Sequence, residues 1–389
     1  GLFRVLPSAS PVTYLRFPGF YLVDPGAGEI LPQFLPLHPV WLSLVNQVLD
    51  VSASLYLTPL WALLGVVAFS LFLKRLWGVG PALVGGALLL VVPLQIYFAR
   101  YPTAEALTQY LAWSLLYVLV RFRERPSRLW AVLGGVILGS LCMTRIDAML
   151  FLVLVPGLIL IYPKALPREP LAWLVGTLSV VMVAVVFQVL HLSYPYVVET
   201  AGGLWRTMIA LMVAPVGIMF LLGAVVFALS FWLLTRGGRN GIRAAWLRRI
   251  GALLVLAGGV FDALVWPHVG ESRSVPYWYS GSTIPIANHL NLVRLAWYLY
   301  PLGVGLGVLG WVILLLKGKL RMLWPALLVG FGFTGLYLYN IMNNPYHVYT
   351  MRRYVPVVVP FFLLGVVAVL QWFYVQHDRW PGARYFAYS

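Results

Sequence analysis

Charged residues are scarce in this chain. They make up 10% of its 389 residues, whereas soluble globular proteins average about 25%. Hydrophobic residues make up 61%, which is more apolar sequence than a soluble core absorbs. The lipid bilayer must therefore be the solvent for much of the chain, and the sequence predicts a polytopic membrane protein.

Cysteine is almost absent as well. The one cysteine, Cys142, lies inside an apolar run, which excludes a disulfide within the chain and a cysteine metal site. No Walker motif, GxSxG motif or HExxH motif occurs, so the common signatures of ATP use, serine hydrolysis and zinc proteolysis are missing. The formal charge of +16 comes from basic residues in short loops between apolar segments. Membrane topology and lipid headgroups explain such loops, so we expect membrane lipids and no nucleic acid as partners.

The apolar segments predict an all-α fold, a transmembrane helical bundle with about 11 spans and loops on its outer face. Each candidate approaches the length of about 20 residues that a spanning helix needs. Residues 38–50 are too short to span and predict a helix that lies along the membrane interface. The pair at 129–162 is short and is also compatible with one broken hairpin. The eleven candidates are 53–73, 81–99, 104–120, 129–144, 147–162, 171–192, 207–235, 247–266, 294–316, 322–341 and 354–375.

Lys and Arg concentrate in every second loop, which assigns the two sides of the membrane. Eighteen of the 27 basic residues lie in these alternate loops and in the C-terminal tail, so these segments are expected to be cytoplasmic. The prediction is a multi-pass protein of the cell membrane with three parts. Residues 1–52 form an outer loop, 53–375 form the transmembrane domain, and 376–389 form a cytoplasmic tail.

Charged residues on the predicted outer side are the candidates for function, because basic residues there go against the topological preference. Charges of both signs near apolar helix ends usually pair with each other or with a ligand. In "ARYPTAEALTQY", Arg100 and Glu105 flank a helix junction. One interpretation is a capped helix start with a snorkelling arginine. The other is that both side chains face a pocket under the outer loops.

Two further outer segments carry charges of this kind. "MTRIDAML" places Arg145 and Asp147 in a tight connection, where they form either an exposed pair of little energetic value or part of a shared site. "NNPYHVYTMRRYVPVVVP" places Arg352 and Arg353 at a helix start, close to His347. A helix N-terminus disfavours cations. Either lipid headgroups or a bound phosphate, which arginine grips in a fork, would explain the pair.

The order of these segments resembles that of the GT-C class of membrane glycosyltransferases, in particular the bacterial relatives of protein mannosyltransferase and aminoarabinose transferase. The resemblance rests on "PQFLPLHPVWLSL", "FLKRLWG", "ARYPTAEALTQY" and "GGVILGSLCMTRIDAML", within about residues 30–165. "MRRYVPVVVP" is a second anchor. The resemblance implies transfer of a sugar from a polyprenyl-phosphate donor to an acceptor on the outer face.

In that class an acidic residue of the first outer loop acts as general base, and arginines or a divalent cation such as Mg²⁺ or Mn²⁺ stabilise the leaving phosphate. The resemblance makes Asp24, Glu29, Glu105 and Asp147 candidates for the catalytic or orienting acids. The family's acidic motif follows a first membrane helix that this chain does not contain, so the base is also expected upstream of Gly1. "LVDPGAGEI", which holds Asp24 and Glu29, is equally typical of a plain turn. The substrate-binding candidates are Arg100, Arg145, His347, Arg352 and Arg353.

Two other functions remain open. A non-catalytic scaffold subunit derived from the same fold, with membrane proteins as partners, is expected if no acidic motif exists upstream. A transporter or flippase of lipid-linked substrates would need charged or helix-breaking residues near the middle of the bilayer in related halves. The polar residues here gather at one membrane face, which counts against transport.

Overall fold

A computed structural model describes residues 15–17, 19–24, 29–161, 167–213, 241–276, 283–317, 320–341 and 347–377. Within these residues the protein is mostly helical, as the sequence predicts. The helices are α1 Leu37–Val48, α2 Val51–Leu55, α3 Leu57–Trp77, α4 Val79–Val91, α5 Pro93–Ala99, α6 Glu105–Glu124, α7 Arg128–Cys142, α8 Leu154–Ile161, α9 Arg168–His191, α10 Tyr194–Val213, α11 Gly241–Val260, α12 Trp266–Val269, α13 Asn291–Lys317, α14 Leu320–Tyr339, α15 His347–Met351 and α16 Val358–His377.

Two small antiparallel sheets, which the sequence analysis did not predict, accompany the helices. β1 (Leu15–Phe17), β2 (Phe20–Asp24) and β3 (Glu29–Pro32) form the first sheet, in that order. β4 (Arg273–Pro276) pairs with β5 (Thr283–Ile286). The aromatic and branched residues of "FYLVD" favour a strand, a local signal that the many Pro and Gly residues nearby obscure.

Six helical segments are long and apolar enough to cross a membrane, and the chain is a multi-pass membrane protein. A seventh crossing is formed if α4 and α5 count as one span, although a bend of 67° separates them at Pro93. A proline inside an apolar run removes a helical hydrogen bond and breaks the helix there. The six segments are Val51–Trp77, Arg168–His191, Ala245–Val269, Asn288–Lys317, Met322–Tyr339 and Val358–Gln376.

The expected count of about 11 spans is therefore not confirmed. Segment 104–120 falls within α6, which carries charged residues at both of its ends. Segments 129–144 and 147–162 are two short apolar helices rather than full spans. Segment 207–235 lies mostly outside the described residues. Residues 38–50 do form a helix, α1, as expected.

The long helices pack in a continuous series of neighbours. Contacts run from α9 to α7, α6, α3, α4 and α16, and then to α13 and α11. In the spanning window of Met322–Tyr339, 72% of the residues are buried, against 6% in Ala245–Val269, so α14 is central and α11 is peripheral. At the α13–α16 crossing, a Cβ on Gly310 would lie 1.9 Å from the carbonyl oxygen of Gly365. Only glycine allows the two backbones to approach this closely.

The bundle has two polar ends. Lys74 and Arg75 lie in the last turn of α3. Nε of Arg75 donates to both carboxylate oxygens of Glu124, at the end of α6, over 2.9 and 2.7 Å. Arg128 and Glu169, from the starts of α7 and α9, form a second ion pair of this basic-loop end. α6 begins at the opposite end, which we call the site end.

Candidate functional site

The site end holds a buried cluster of charged side chains, which we call the charge cluster. Its members come from three separate parts of the chain: the start of α6, the connection after α7, and the region from α14 to the turn before α16. All of them contact at least one other member or the backbone beside it. The charge cluster consists of Glu105, Arg145, Asp147, Tyr337, Arg352 and Arg353.

Glu105 is the centre of this cluster. It is the first residue of α6, where the helix dipole favours a carboxylate, and its side chain is only 2% exposed. Arg352 forms an ion pair with its Oε1, at 3.0 Å from Nε, and Nη1 of Arg145 donates to the same oxygen. The second oxygen, Oε2, is buried and makes no well-aligned hydrogen bond to a described residue. Burial opposes the charge of Glu105, but Arg352, Arg145, the Thr103 hydroxyl and the backbone N–H of Glu105 hold the pKa of its carboxyl below the usual value.

Asp147 holds Arg145 from the other side. Nε of Arg145 donates to Oδ1 of Asp147 over 2.9 Å, and Nη2 donates to Oδ2 over 2.7 Å, a fork-to-fork pair. The hydroxyl of Tyr337, on α14, donates to Oδ2 as well. Burial opposes the charge of Arg145, yet the carboxylates of Asp147 and Glu105 keep the pKa of its guanidinium well above the usual range.

The two neighbouring arginines lie in a short 3-10 turn, Arg352–Tyr354, rather than at the start of the last long helix. Three turn residues, 355–357, separate it from that helix. α6 fixes the segment: the side-chain amide of Gln109 donates to the carbonyl of Val355 over 2.8 Å, and the indole of Trp113 donates to the carbonyl of Pro356 over 3.1 Å. The helix that supplies Glu105 thus also positions its arginine partners.

A hydrogen-bonded pair of amide side chains fixes the position of α6 relative to α5. Gln95 on α5 and Gln109 on α6 exchange two hydrogen bonds, over 2.8 and 3.0 Å, and both side chains are buried. Buried amides require partners, because an unpaired one loses its bonds to water without replacement. The pair therefore ties the broken α4–α5 segment to the helix that carries Glu105.

Among the described side chains of the charge cluster, three guanidinium groups face two carboxylates. Arg353 also makes contacts beyond the bond that its Nη1 donates to the carbonyl of Ile341. Burial lowers the pKa of Arg353, and the nearby cations Arg145 and Arg352 add to that effect. The side chains of Arg352 and Arg145 are 16% and 14% exposed, so the cluster is covered but not sealed. The guanidinium of Arg352 also lies 3.7 Å from the ring centre of Tyr349.

His38 lies beside the cluster. It is the second residue of α1 and is 2% exposed. Neither of its ring nitrogens has a hydrogen-bond partner among the described residues. Burial lowers the pKa of His38, while the negative charge of Glu105 acts in the opposite direction.

A divalent cation does not fit the charge cluster. Both carboxylates are already neutralised by guanidinium groups, and Arg145 lies between them, where it would repel a cation. Within the ranges that the structure describes, no group of three or more His, Cys, Asp or Glu side chains is arranged to hold a metal ion. We therefore assign no step to a metal.

The structure brings five of the nine sequence candidates together, namely Glu105, Arg145, Asp147, Arg352 and Arg353. The interpretation of Arg145 and Asp147 as an exposed pair is wrong, because both are mostly buried. The remaining four candidates are elsewhere or only partly described. They are Arg100, Asp24, Glu29 and His347.

Arg100 directly follows α5, and its side chain is exposed rather than buried with the charge cluster. Asp24 and Glu29 face each other across the β2–β3 hairpin. That pairing agrees with the interpretation of "LVDPGAGEI" as a turn between two strands. His347 begins α15. The side chains of Asp24, Glu29 and His347 lie outside the described residues.

Sequence reasoning missed Tyr337 and gave His38 no role. Tyr337 lies within an apolar helical segment, where a tyrosine carries no signal by itself. His38 precedes a proline at a helix start, and a single histidine matches no motif. A polar side chain inside a predicted membrane segment is a weak pointer to a buried hydrogen-bonding network.

Comparison of the sequence with models of known protein families gives no match, and comparison with curated proteins gives none either.

Proposed function

We propose that this chain is a glycosyltransferase of the membrane that takes a sugar from a polyprenyl-phosphate carrier, and that the charge cluster binds the phosphate of that carrier. One observation carries the proposal. Arg352 is 16% exposed at the site end of the bundle, its Nε is engaged by Glu105, and its two other guanidinium nitrogens have no acceptor among the described residues. An anion supplied from outside the chain, such as a lipid phosphate, would complete the contacts of this guanidinium.

Of the three arginines, Arg352 is the one best placed to bind the carrier phosphate. Its Nε is held by Glu105 and its guanidinium plane rests on Tyr349. No described residue accepts a hydrogen bond from its Nη1 or Nη2. Two parallel N–H donors in a fixed plane match two phosphate oxygens, and stacking on an aromatic ring reduces the entropy lost on binding.

Glu105 and Asp147 then act on the arginines rather than on the acceptor. A general base must accept a proton in the reaction, and a carboxylate shared between guanidinium groups is a weak acceptor. We assign these two acids to positioning Arg145 and Arg352. In the transfer, the acceptor oxygen bonds to the anomeric carbon while the bond from that carbon to the phosphate oxygen breaks. The electron pair leaves with the phosphate, whose growing charge the arginines stabilise.

The candidates for the base that removes the acceptor proton remain Asp24 and Glu29. Localisation to the cell membrane, with the C-terminus in the cytoplasm and the charge cluster on the outer side, is part of the proposal. It is supported by the asymmetry of the two ends, since the end opposite the cluster carries the basic loops.

A non-catalytic scaffold is the second candidate function. The observation that favours it is the 2% exposure of Glu105 together with two intramolecular arginine bonds to one of its oxygens. Such a network can also serve to fix the packing of α6 against the turn before α16. A scaffold of this kind would bind no carrier phosphate.

The test is binding and turnover by the full chain in lipid nanodiscs. We expect undecaprenyl phosphate to bind, and sugar to be released from at least one member of a radiolabelled panel of polyprenyl-phosphate sugars. Arg352→Gln is expected to weaken carrier binding by about tenfold or more, the value of one charge-assisted contact. Arg100→Gln, the matched exposed arginine, is expected to change it less than about twofold.

Carrier binding that both variants reduce equally would refute the phosphate site. Absence of carrier binding by the folded native chain would favour the scaffold.

A further inference from the structure

The basic-loop end of the bundle carries a second set of arginines, which the proposed function does not use. The last turns of α3 and α6, together with the residue that follows α6, hold one acidic and five basic residues, namely Glu124 and Lys74, Arg75, Arg121, Arg123 and Arg125. The helix dipole favours cations at the C-terminus of a helix. It does not fix the arrangement of any one of them, so the contacts of each side chain decide which is available to a ligand.

The carboxylate of Glu124 is committed to Arg75. Nε of Arg75 donates to both of its oxygens, over 2.9 and 2.7 Å. Nη1 of Arg121 lies 3.6 Å from Oε2 of Glu124, which is beyond hydrogen-bond length. The Arg121 side chain makes no hydrogen bond to any described residue, and it is 23% exposed. Its guanidinium is therefore weakly neutralised by the described part of the chain and is partly open to its surroundings.

An aromatic ring holds Arg121 in place. The guanidinium carbon lies 5.4 Å from the ring centre of Trp130, within the range of a cation–π interaction. Trp130 is fixed in turn, because its ring meets that of Tyr117 edge to face at 6.2 Å and its backbone N–H donates to the hydroxyl of Ser127, which caps α7. Tyr117 lies one turn before Arg121 on α6, so the indole contacts both side chains. Arg121 is thereby oriented by contacts that leave its N–H donors for another acceptor.

The surroundings of Arg121 indicate the chemistry of that acceptor. Trp and Tyr side chains concentrate at the level of the lipid headgroups, and Leu129, next to Trp130, is 64% exposed, as expected of a side chain that faces lipid. A phospholipid supplies a phosphate at this level, and guanidinium donors match phosphate oxygens in a planar fork. The surplus of cations at the ends of α3 and α6 favours a headgroup with a net negative charge over one that adds an ammonium group.

We propose that Arg121 and Trp130 form a binding site for the phosphate of an anionic phospholipid, with phosphatidylglycerol as its simplest example. Arg121 bonds to the phosphate, and Trp130 positions the guanidinium. The site lies at the end of α6 opposite Glu105, so it is separate from the charge cluster and does not depend on the proposed transferase function. It distinguishes phosphatidylglycerol, which carries a net negative charge, from phosphatidylcholine, which carries none.

The experiment measures equilibrium binding of phosphatidylglycerol and of phosphatidylcholine to the full chain in detergent, by native mass spectrometry of the lipid-bound forms. The native chain is expected to bind phosphatidylglycerol more tightly. Arg121→Gln is expected to weaken that binding by about tenfold, the value of one charge-assisted hydrogen bond, while phosphatidylcholine binding stays within about twofold. Trp130→Leu keeps the charge but releases the guanidinium, so a loss of about two- to fivefold is expected. Arg121→Lys keeps the charge without the planar fork and is expected to retain part of the preference, which also tests the site if Arg121→Gln does not fold.

Two control variants separate a specific site from general charge attraction. Arg100→Gln removes an exposed arginine at the opposite end of the bundle and is expected to change phosphatidylglycerol binding by less than about twofold. Arg352→Gln removes the proposed contact to the carrier phosphate and is expected to leave the preference for phosphatidylglycerol intact. The failure of the lipid site can therefore be told from the failure of the carrier site.

Four results would overturn the proposal. The first is equal affinity of the native chain for the two lipids, and the second is a loss in Arg121→Gln no larger than the loss in Arg100→Gln. A preference that disappears in Arg352→Gln would place the lipid at the charge cluster instead. Displacement of phosphatidylglycerol by an equal concentration of inorganic phosphate would mean that the site takes free phosphate rather than a lipid.

Discussion

Arg352 forms an ion pair with Glu105, at 3.0 Å between Nε and Oε1, and thereby joins the start of α6 to the turn before α16. The two residues are far apart in the chain. The same carboxylate oxygen receives Arg145 from the connection after α7. One buried oxygen thus connects three separate parts of the bundle.

The first prediction concerns removal of this connection. Glu105→Gln is expected to destabilise the protein by about 3–5 kcal/mol, because it leaves buried guanidinium groups without their counter-ion. Unfolding of the purified protein in detergent, followed by urea or by heat, measures the change. Glu124→Gln is the matched control, since it breaks the exposed pair with Arg75 and is expected to cost less than about 1 kcal/mol. Equal losses in the two variants would contradict the assignment.

The second prediction concerns the amide pair of Gln95 and Gln109. Gln109→Leu removes the bonds to Gln95 and to the carbonyl of Val355, and is expected to cost about 1–3 kcal/mol for each polar group left unpaired. Adding Gln95→Leu removes one of the two orphaned groups, so the double variant is expected to be more stable than Gln109→Leu alone. A double-mutant cycle measured by unfolding checks this. Additive losses would show that the two amides are not coupled.

The third prediction concerns the crossing of α13 and α16. Gly310→Ala places a methyl group 1.9 Å from the backbone oxygen of Gly365, so the helices must separate. Overpacking of this kind is expected to cost about 1–3 kcal/mol or more. Gly305→Ala, on the same helix, has no atom within 4 Å of the added carbon.

That control is expected to be neutral or to stabilise by up to about 1 kcal/mol through higher helix propensity. Thermal unfolding of both variants in one detergent compares them directly. A Gly310→Ala protein as stable as the Gly305→Ala protein would refute the close crossing.

Much of the site was predictable because charge is so rare in this sequence. In a chain with 10% charged residues, each Arg, Asp or Glu near the predicted outer helix ends is conspicuous, and five such residues, from Glu105 to Arg353, do meet. Their pairing was not predictable, because it depends on how α6, the connection after α7 and the turn before α16 come together. Arg100 lies in the same short stretch of sequence as Glu105 but does not join the charge cluster. Its side chain is exposed at the end of the bent α4–α5 segment.

The number of membrane spans was less predictable than the residues of the site, because it also depends on the three-dimensional course of the helices. Hydropathy measures composition along the chain but does not register where a helix breaks. Pro93 divides one apolar run into two helices at 67°, and the run around Cys142 breaks into a short helix and a 3-10 segment. The buried partners His38 and Tyr337 were missed because their importance comes only from tertiary neighbours.

The last prediction is a dependence of stability on pH that comes from His38. Burial lowers the pKa of this imidazole in the folded protein below its ordinary value of 6.5. As the pH falls below about 6.5, the unfolded chain takes up a proton at this position before the folded protein does, so the free energy of unfolding decreases. His38→Phe removes that proton uptake and also removes two unpaired buried nitrogens. We therefore expect the stability advantage of His38→Phe over the native chain to increase between about pH 7 and pH 5.5, as measured by urea unfolding. A difference between His38→Phe and the native chain that stays constant over this pH range would mean that His38 is not buried in its neutral form.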